Sequence, residues 1–284
     1  MMRSLFSAVS GLKNHQTAMD VIGNNISNVN TVAFKSSRVV FSDIYSQTIS
    51  EATAPTANIG GSNAQQVGLG MNISAIKTSV EEGSSESTGD TLDFLIDGEG
   101  YFVVKASDGG YYYTRNGSLD VDPSGYLVTD SGDYILGSLT TSSAETDYTG
   151  DLSTLSQIQV TGTANEYTDY AIDSNGFITA YDPTTESKVV VARIVLATFT
   201  NAAGLNKAGS SCYSTSANSG EAVLDYANED FAGSLNVGSL EMSNVNLATE
   251  LTNMIIMQRG FQANSRVITT SDTLLEELVN LKRS

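Results

Sequence analysis

Three carboxylates, Asp93, Asp97 and Glu99, crowd one short segment, and Asp93 and Asp97 would share a strand face. Paired carboxylates are the equipment of glycoside hydrolysis. The chain carries 32 acidic residues, so such a cluster arises by chance and reads first as a solvated edge. Asp120-x-Asp122-x-Ser124-Gly125 matches the opening of a calcium-binding loop, but its twelfth position is Ser131 where a bidentate Glu is needed. An Asp-Pro-Ser-Gly turn is the simpler reading. Gly98-Glu99-Gly100 follows a strand without the third glycine or the helix of a dinucleotide fingerprint. Neither a Walker loop nor a Gly-x-Ser-x-Gly elbow is present. His15 and Cys212 are the only residues of their types, too few for a Cys/His zinc site or a disulfide. His15 reads as a polar position that sets helix register. Cys212 reads as a small buried apolar residue. The expectation is a non-enzyme with no catalytic residue, no cofactor and no metal.

The balance of charge narrows the classes further. The chain has 284 residues with 14 Lys and Arg against 32 Asp and Glu, a net charge of −18. Phosphate backbones repel such a surface, which argues against nucleic acid as a partner. No stretch approaches 18 consecutive apolar residues, so no membrane insertion is expected. Little Lys and much Ser, Thr and Asn suit an exported protein, yet no apolar run of signal-peptide length follows the N-terminus.

Two segments have helical period. Leu5, Ala8, Leu12, His15, Met19, Ile22, Ile26 and Val29 recur at alternating spacings of three and four, a heptad seam behind Ser4 as N-cap. Leu247, Leu251, Met254, Gln258, Phe261, Ser265, Ile268, Asp272, Leu275, Val279 and Lys282 repeat that spacing, with Asn246 as cap, Glu250 in the first turns and Lys282 and Arg283 closing the end. The simplest partner for each helix is the other. Met254-Ile255-Ile256-Met257 points all round its helix, and Phe6, Val9, Leu274 and Leu278 also lie off the seam. A helix apolar on several faces is buried on several faces, by its own body or by neighbouring copies.

Between these ends the period changes to two. Runs at Met71–Ile76, Leu92–Ile96, Tyr101–Lys105, Tyr111–Thr114, Tyr126–Thr129 and Val189–Phe199 are joined by Asp-Gly, Pro-Ser-Gly and Asn-Gly turns. The fold class expected is α+β: an antiparallel β-rich body with N- and C-terminal α-helices pairing as a coiled coil. Residues 1–32 with 243–284 would form the helical domain, 33–70 an extended linker arm that orders only on contact, and 71–242 the β body.

The motifs at the two ends carry a resemblance. Ala8-Val9-Ser10-Gly11-Leu12, Val21-Ile22-Gly23-Asn24-Asn25-Ile26-Ser27-Asn28 and Ala33-Phe34-Lys35 are similar to the start of bacterial flagellar rod and hook proteins. Ser243-Asn244-Val245-Asn246-Leu247, Gln258-Arg259-Gly260-Phe261-Gln262-Ala263-Asn264-Ser265 and Thr270-Ser271-Asp272 resemble the other end of that family. Thr88-Gly89-Asp90-Thr91-Leu92-Asp93, Ile96-Asp97-Gly98-Glu99-Gly100-Tyr101-Phe102 and Thr114-Arg115-Asn116-Gly117 resemble its body. Within the family, residues 60–70, Gly238–Val245 and the C-terminal residues point to the hook, with the distal rod the close alternative and a secreted β-rich glycosidase or adhesin the reading from another class. Ala33 stands where the family usually has glycine, and Cys212 where leucine is expected.

The resemblance implies a homo-oligomeric helical tube, curved in the hook, with terminal helices at its core. Leu5, Leu12, Met19, Ile22, Ile26, Val29, Leu247, Leu251, Met254, Ile255, Phe261, Ile268, Leu275 and Val279 are the assembly residues it implies. It also implies the distal rod protein, the hook-filament junction protein, the hook cap and the flagellar type III export apparatus as partners. The location implied is the basal body or hook outside the cell, reached without a cleaved signal peptide. Head-to-tail contacts that do not close generate such a tube.

Overall fold

The computed structural model describes residues 2–55, 60–139, 152–160, 168–182, 187–229 and 231–281. Two compact units emerge: residues 1–28, 36–79 and 245–284 form unit 1, and residues 29–35 and 80–244 form unit 2.

Unit 1 is built on α1 (Met2–Ser27) and α2 (Leu247–Leu281). The helices run antiparallel. A Cβ added to Gly11 would lie 2.6 Å from Asn264 Nδ2, one added to Gly260 would lie 2.9 Å from His15 Nε2, and Asn25 reaches Glu250 at 3.3 Å. Partner numbers thus fall as those of α1 rise. The two glycines let the backbones approach where a methyl group would hold them apart. Asn246 caps α2, its Oδ1 accepting from Thr249 N at 3.2 Å, with Glu250 in the first turn. The expected cap Ser4 instead lies inside α1. Lys282 and Arg283 lie outside the described residues.

Alongside α1 runs a two-stranded ribbon. β1 (Ser37–Asp43) pairs with β4 (Met71–Thr78), and β2 (Ser46–Ser50) with β3 (Gln65–Gly68), both antiparallel. Two buried asparagines of α1 fasten it. Asn14 Nδ2 donates to Met71 O at 2.6 Å, and Asn25 exchanges bonds of 2.8 and 3.0 Å with Ser37 O and N. The stretch expected as an extended arm is therefore mostly a ribbon, and Met71–Thr78, expected in the body, pairs with it in unit 1. A body boundary at 71 is not the one observed; pairing across more than twenty residues is invisible to composition.

Unit 2 is the β body. Its strands are β5 (Ser85–Ser87), β6 (Phe94–Asp97), β7 (Tyr101–Lys105), β8 (Tyr111–Thr114), β9 (Leu119–Val121), β10 (Leu127–Thr129), β11 (Tyr134–Ser138) and β12 (Ser156–Gln157). They continue as β13 (Thr168–Ile172), β14 (Phe177–Asp182), β15 (Ser187–Thr198), β16 (Asn206–Gly209), β17 (Cys212–Ser214), β18 (Val223–Tyr226), β19 (Ser234–Val237) and β20 (Ser239–Glu241). Strand order along the main sheet is β13-β14-β15-β11-β7-β8-β17-β16. Every strand pairing among the described residues is antiparallel, so the fold is α+β as expected.

The central strands are apolar on both faces because both faces are covered. Phe102, Val104, Ile194 and Leu196 point into one core with Phe94, Ile96, Leu127 and Ile135. Their neighbours Tyr101, Val103, Val195 and Ala197 point into another with Tyr113, Phe199 and Tyr213. Successive strand residues face opposite ways, so one run of four serves two cores. Burial of each large apolar side chain contributes roughly 1.5–3 kcal/mol.

Ala33 takes φ 57, in the left-handed region, while fully buried and donating from its N–H to Glu241 O at 2.8 Å. The turn glycine would make is thus made with alanine. Relief of left-handed strain, about 1–2 kcal/mol, is offset in Ala33→Gly by chain entropy of roughly 0.5–1 kcal/mol and a lost buried methyl group. Ala33→Gly should leave the urea midpoint nearly unchanged, whereas Ala33→Val should lower it markedly, since a β-branched residue is a genuine outlier at this φ. Equal midpoints for the two variants would show that this turn relaxes freely.

Candidate functional site

The residues with chemical potential are scattered, and Asp122 serves a turn. Asp122 Oδ1 accepts from Ser124 N at 2.9 Å and Tyr126 N at 2.8 Å, an Asx-type turn closed by Gly125 at φ 85. Asp97 and Glu99 are exposed and Asp93 half-buried at the β6 edge. No group of three His, Cys, Asp or Glu among the described residues could hold a metal ion. Cys212 is half-buried against the larger core, and burial pushes its thiol pKa up, away from the reactive thiolate.

His15 lies between the two helices and the ribbon: Nδ1 is 3.3 Å from Met257 Sδ and the ring meets Phe41 edge-on. Burial holds its pKa below the ordinary value. Above about pH 6.5 both folded and unfolded forms are neutral. Below that the unfolded chain takes up the proton first, so unit 1 loses stability as pH falls through the folded pKa. Helix protection in hydrogen exchange should decline from about pH 7 to 5, and His15→Gln should flatten that decline. A slope that His15→Gln leaves intact would assign it to other groups.

The unusual surface is that of unit 1. Of the exposed large apolar side chains among the described residues, all but Tyr111, Leu139, Val223 and Phe231 belong to unit 1. They include Phe6 (68% exposed), Val9, Ile255 (58%), Ile256, Leu274, Leu278 and Leu281 (72%) on the helices, and Ile44, Tyr45, Ile49 and Val67 on the ribbon. Apolar patches of this kind mark interaction sites.

The expected assembly residues divide accordingly. On α1, Ile22 is buried, and Leu5, Leu12, Met19 and Ile26 are half-buried; Val29, also half-buried, falls in unit 2. On α2, Met254, Phe261, Ile268 and Leu275 are half-buried, while Leu247, Leu251, Ile255 and Val279 are exposed. The inward line of α2 joins Met254, Phe261, Ile268 and Leu275 with Met257, Asn264, Ser265 and Ser271, and leaves Gln258 and Asp272 exposed. Close approach at Gly11 and Gly260 favours small and polar side chains there, so counting apolar residues misplaces those two positions.

Sequence reading also missed the buried ion cluster of unit 2. Lys35, Arg115 and Glu241 are 2%, 3% and 1% exposed. Glu241 Oε1 accepts from Lys35 Nζ at 2.6 Å and Gly83 N at 2.9 Å, and Oε2 lies 3.3 Å from Arg115 Nη1. Lys35 Nζ also donates to Glu81 O at 2.8 Å, and Arg115 to Gly100 O at 3.0 Å and to Gly98 O. Burial holds the Lys35 pKa down, and Arg115 adds to that effect. One carboxylate thereby ties together the segment after α1, the turn after β8 and the strand before α2. One charged residue within each of three separate motifs was the available signal.

The features that stand out are a folded β body and, in the same chain, a helical unit left apolar on its outer faces, the kind of surface that marks an interaction site. Comparison with known proteins gives that surface its place. A family model described as flagella basal body rod protein matches residues 5–35. One for the flagellar hook protein FlgE/F/G D1 domain matches 95–180, and one for the flagellar basal body rod FlgEFG protein C-terminal matches 236–281. The flagellar basal-body rod protein FlgG of Bacillus subtilis is 45% identical over 286 residues, covering 100% of both chains. FlgG of Borreliella burgdorferi is 34% identical over 300 residues, again 100% of both. The flagellar hook protein FlgE of Borreliella burgdorferi is 52% identical over 128 residues, 45% of this chain and 29% of that one.

The chain belongs to the flagellar rod and hook protein family. It is a structural component of the bacterial flagellum and assembles into its axial structure with other flagellar components. No described helix is long and apolar enough to cross a membrane.

Proposed function

We propose that this chain is a subunit of the flagellar distal rod, packing head to tail with copies of itself into a helical tube. The observation that carries this reading is the end-to-end match to FlgG rod proteins, against partial coverage of the hook relative. The helical core would be formed by the fourteen expected residues of α1, residue 29 and α2, joined by the exposed Phe6, Val9, Ile256 and Leu278. The hook reading favoured by the sequence motifs stays as the second, supported by 52% identity to a hook protein over 128 residues. In either position the neighbours would be further axial proteins: the rod, the hook and its cap, and the junction to the filament. Export through the flagellar type III apparatus would leave the N-terminus uncut.

Gold labelling of the epitope-tagged chain in isolated hook–basal bodies separates the two. Label on the rod below the hook is the expected result; label along the hook overturns the rod reading in favour of the second.

A further inference from the structure

Charge is divided very unevenly between the two units. Unit 1 holds 8 Lys and Arg against 7 Asp and Glu, a net of +1. Unit 2 holds 6 against 25, a net of −19. Three of the six cations of unit 2, Lys35, Arg115 and Arg193, are buried, and of its acids Glu241 is the buried one among the described residues. Among the described residues of unit 2, burial thus removes more positive than negative charge from the surface. Unit 1 is the reverse: nearly neutral, with most of the exposed large apolar side chains.

We infer that the acidic body is an electrostatic brake on self-association, set against the apolar attraction of unit 1. This rests on the self-assembly reading above and adds its regulation. Any array of copies brings bodies of charge −19 side by side, and the repulsion extends over the Debye length, about 30 Å at 0.01 M salt and about 10 Å at 0.1 M. Apolar attraction between helices has no such dependence. Free subunits at low ionic strength are held apart, whereas a growing end, which presents a complete set of apolar faces to each arriving copy, overcomes the repulsion first.

The test measures the lowest concentration at which purified full-length protein forms sedimentable polymer, in sodium chloride from about 10 mM to about 300 mM, a range that takes the Debye length from about 30 Å to under 10 Å. A second protein carries Glu86→Gln, Asp97→Asn, Glu99→Gln, Asp120→Asn and Glu221→Gln, all at exposed positions. For the natural chain that concentration should fall about tenfold or more across the range as screening sets in. The amide variant should polymerise at low salt where the natural chain does not, with an unchanged melting temperature. Equal threshold concentrations at both ends of the salt range, or for both proteins at low salt, overturn the brake. No polymer from either protein at any salt, with or without fragments of isolated rods as seeds, overturns the self-assembly reading beneath it.

Discussion

Glu241→Leu should remove about 3–5 kcal/mol from the stability of the β body, the expected loss when one partner of a buried ionic cluster is taken away. Lys35 and Arg115 stay buried and lose their shared carboxylate, and Gly83 N loses its acceptor. Lys35→Met should cost less, because Glu241 then keeps Arg115 and Gly83 N. In Lys35→Met/Glu241→Leu part of the loss should return, since one of the two stranded cations is gone. Urea unfolding followed by tyrosine fluorescence reads all three, Trp being absent from the chain. A Glu241→Leu body as stable as the natural one would mean that water reaches both cations and that the cluster is ordinary surface electrostatics.

Ile255→Asp should abolish assembly while leaving the isolated chain intact. Ile255 is 58% exposed on α2, so in a single chain the substitution touches little. In a tube it would place an unpaired carboxylate against a neighbouring helix, at several kcal/mol for every copy. Substitution at Ile22, 8% exposed, lacks this selectivity because it also strikes the core of unit 1. Circular dichroism should be unchanged for Ile255→Asp, with sedimentable polymer and swimming in soft agar both lost. Normal motility would place that face of α2 against solvent in the finished structure and remove Ile255 from the assembly set.

The sequence carried the elements well and the cross-links badly. Both helices were legible from their heptads, and so was an antiparallel body, because Asp-Gly and Asn-Gly turns punctuate short β-branched and aromatic runs. Of the ribbon from Ser37 to Thr78 only Met71–Ile76 was read as a strand, and it was given to the body; β2 and β3 carry one large apolar residue each, and the ribbon is fastened by Asn14 and Asn25 of another element. Asparagines inside a helix read as neutral filler until their partners are known. The ion cluster was hidden for the same reason: Lys35 and Glu241 are about two hundred positions apart, and spacing arguments reach no further than one element. What can be read locally is which residues prefer burial, and what cannot is which polar groups find each other there.

The antiparallel register of α1 and α2 sets the two helices level at one end only. Beside Met2 of α1 lies the stretch of α2 near residue 273, and α2 runs on to Leu281, about eight residues or ~12 Å further. Leu278, Val279 and Leu281 on that overhang are exposed. Parts that end at unequal heights join as a carpenter's lap joint does, flank against flank, not as two flat ends. In the tube proposed above, copies lapped in this way would carry pull or twist as shear along helix sides and would offer no single transverse plane of parting.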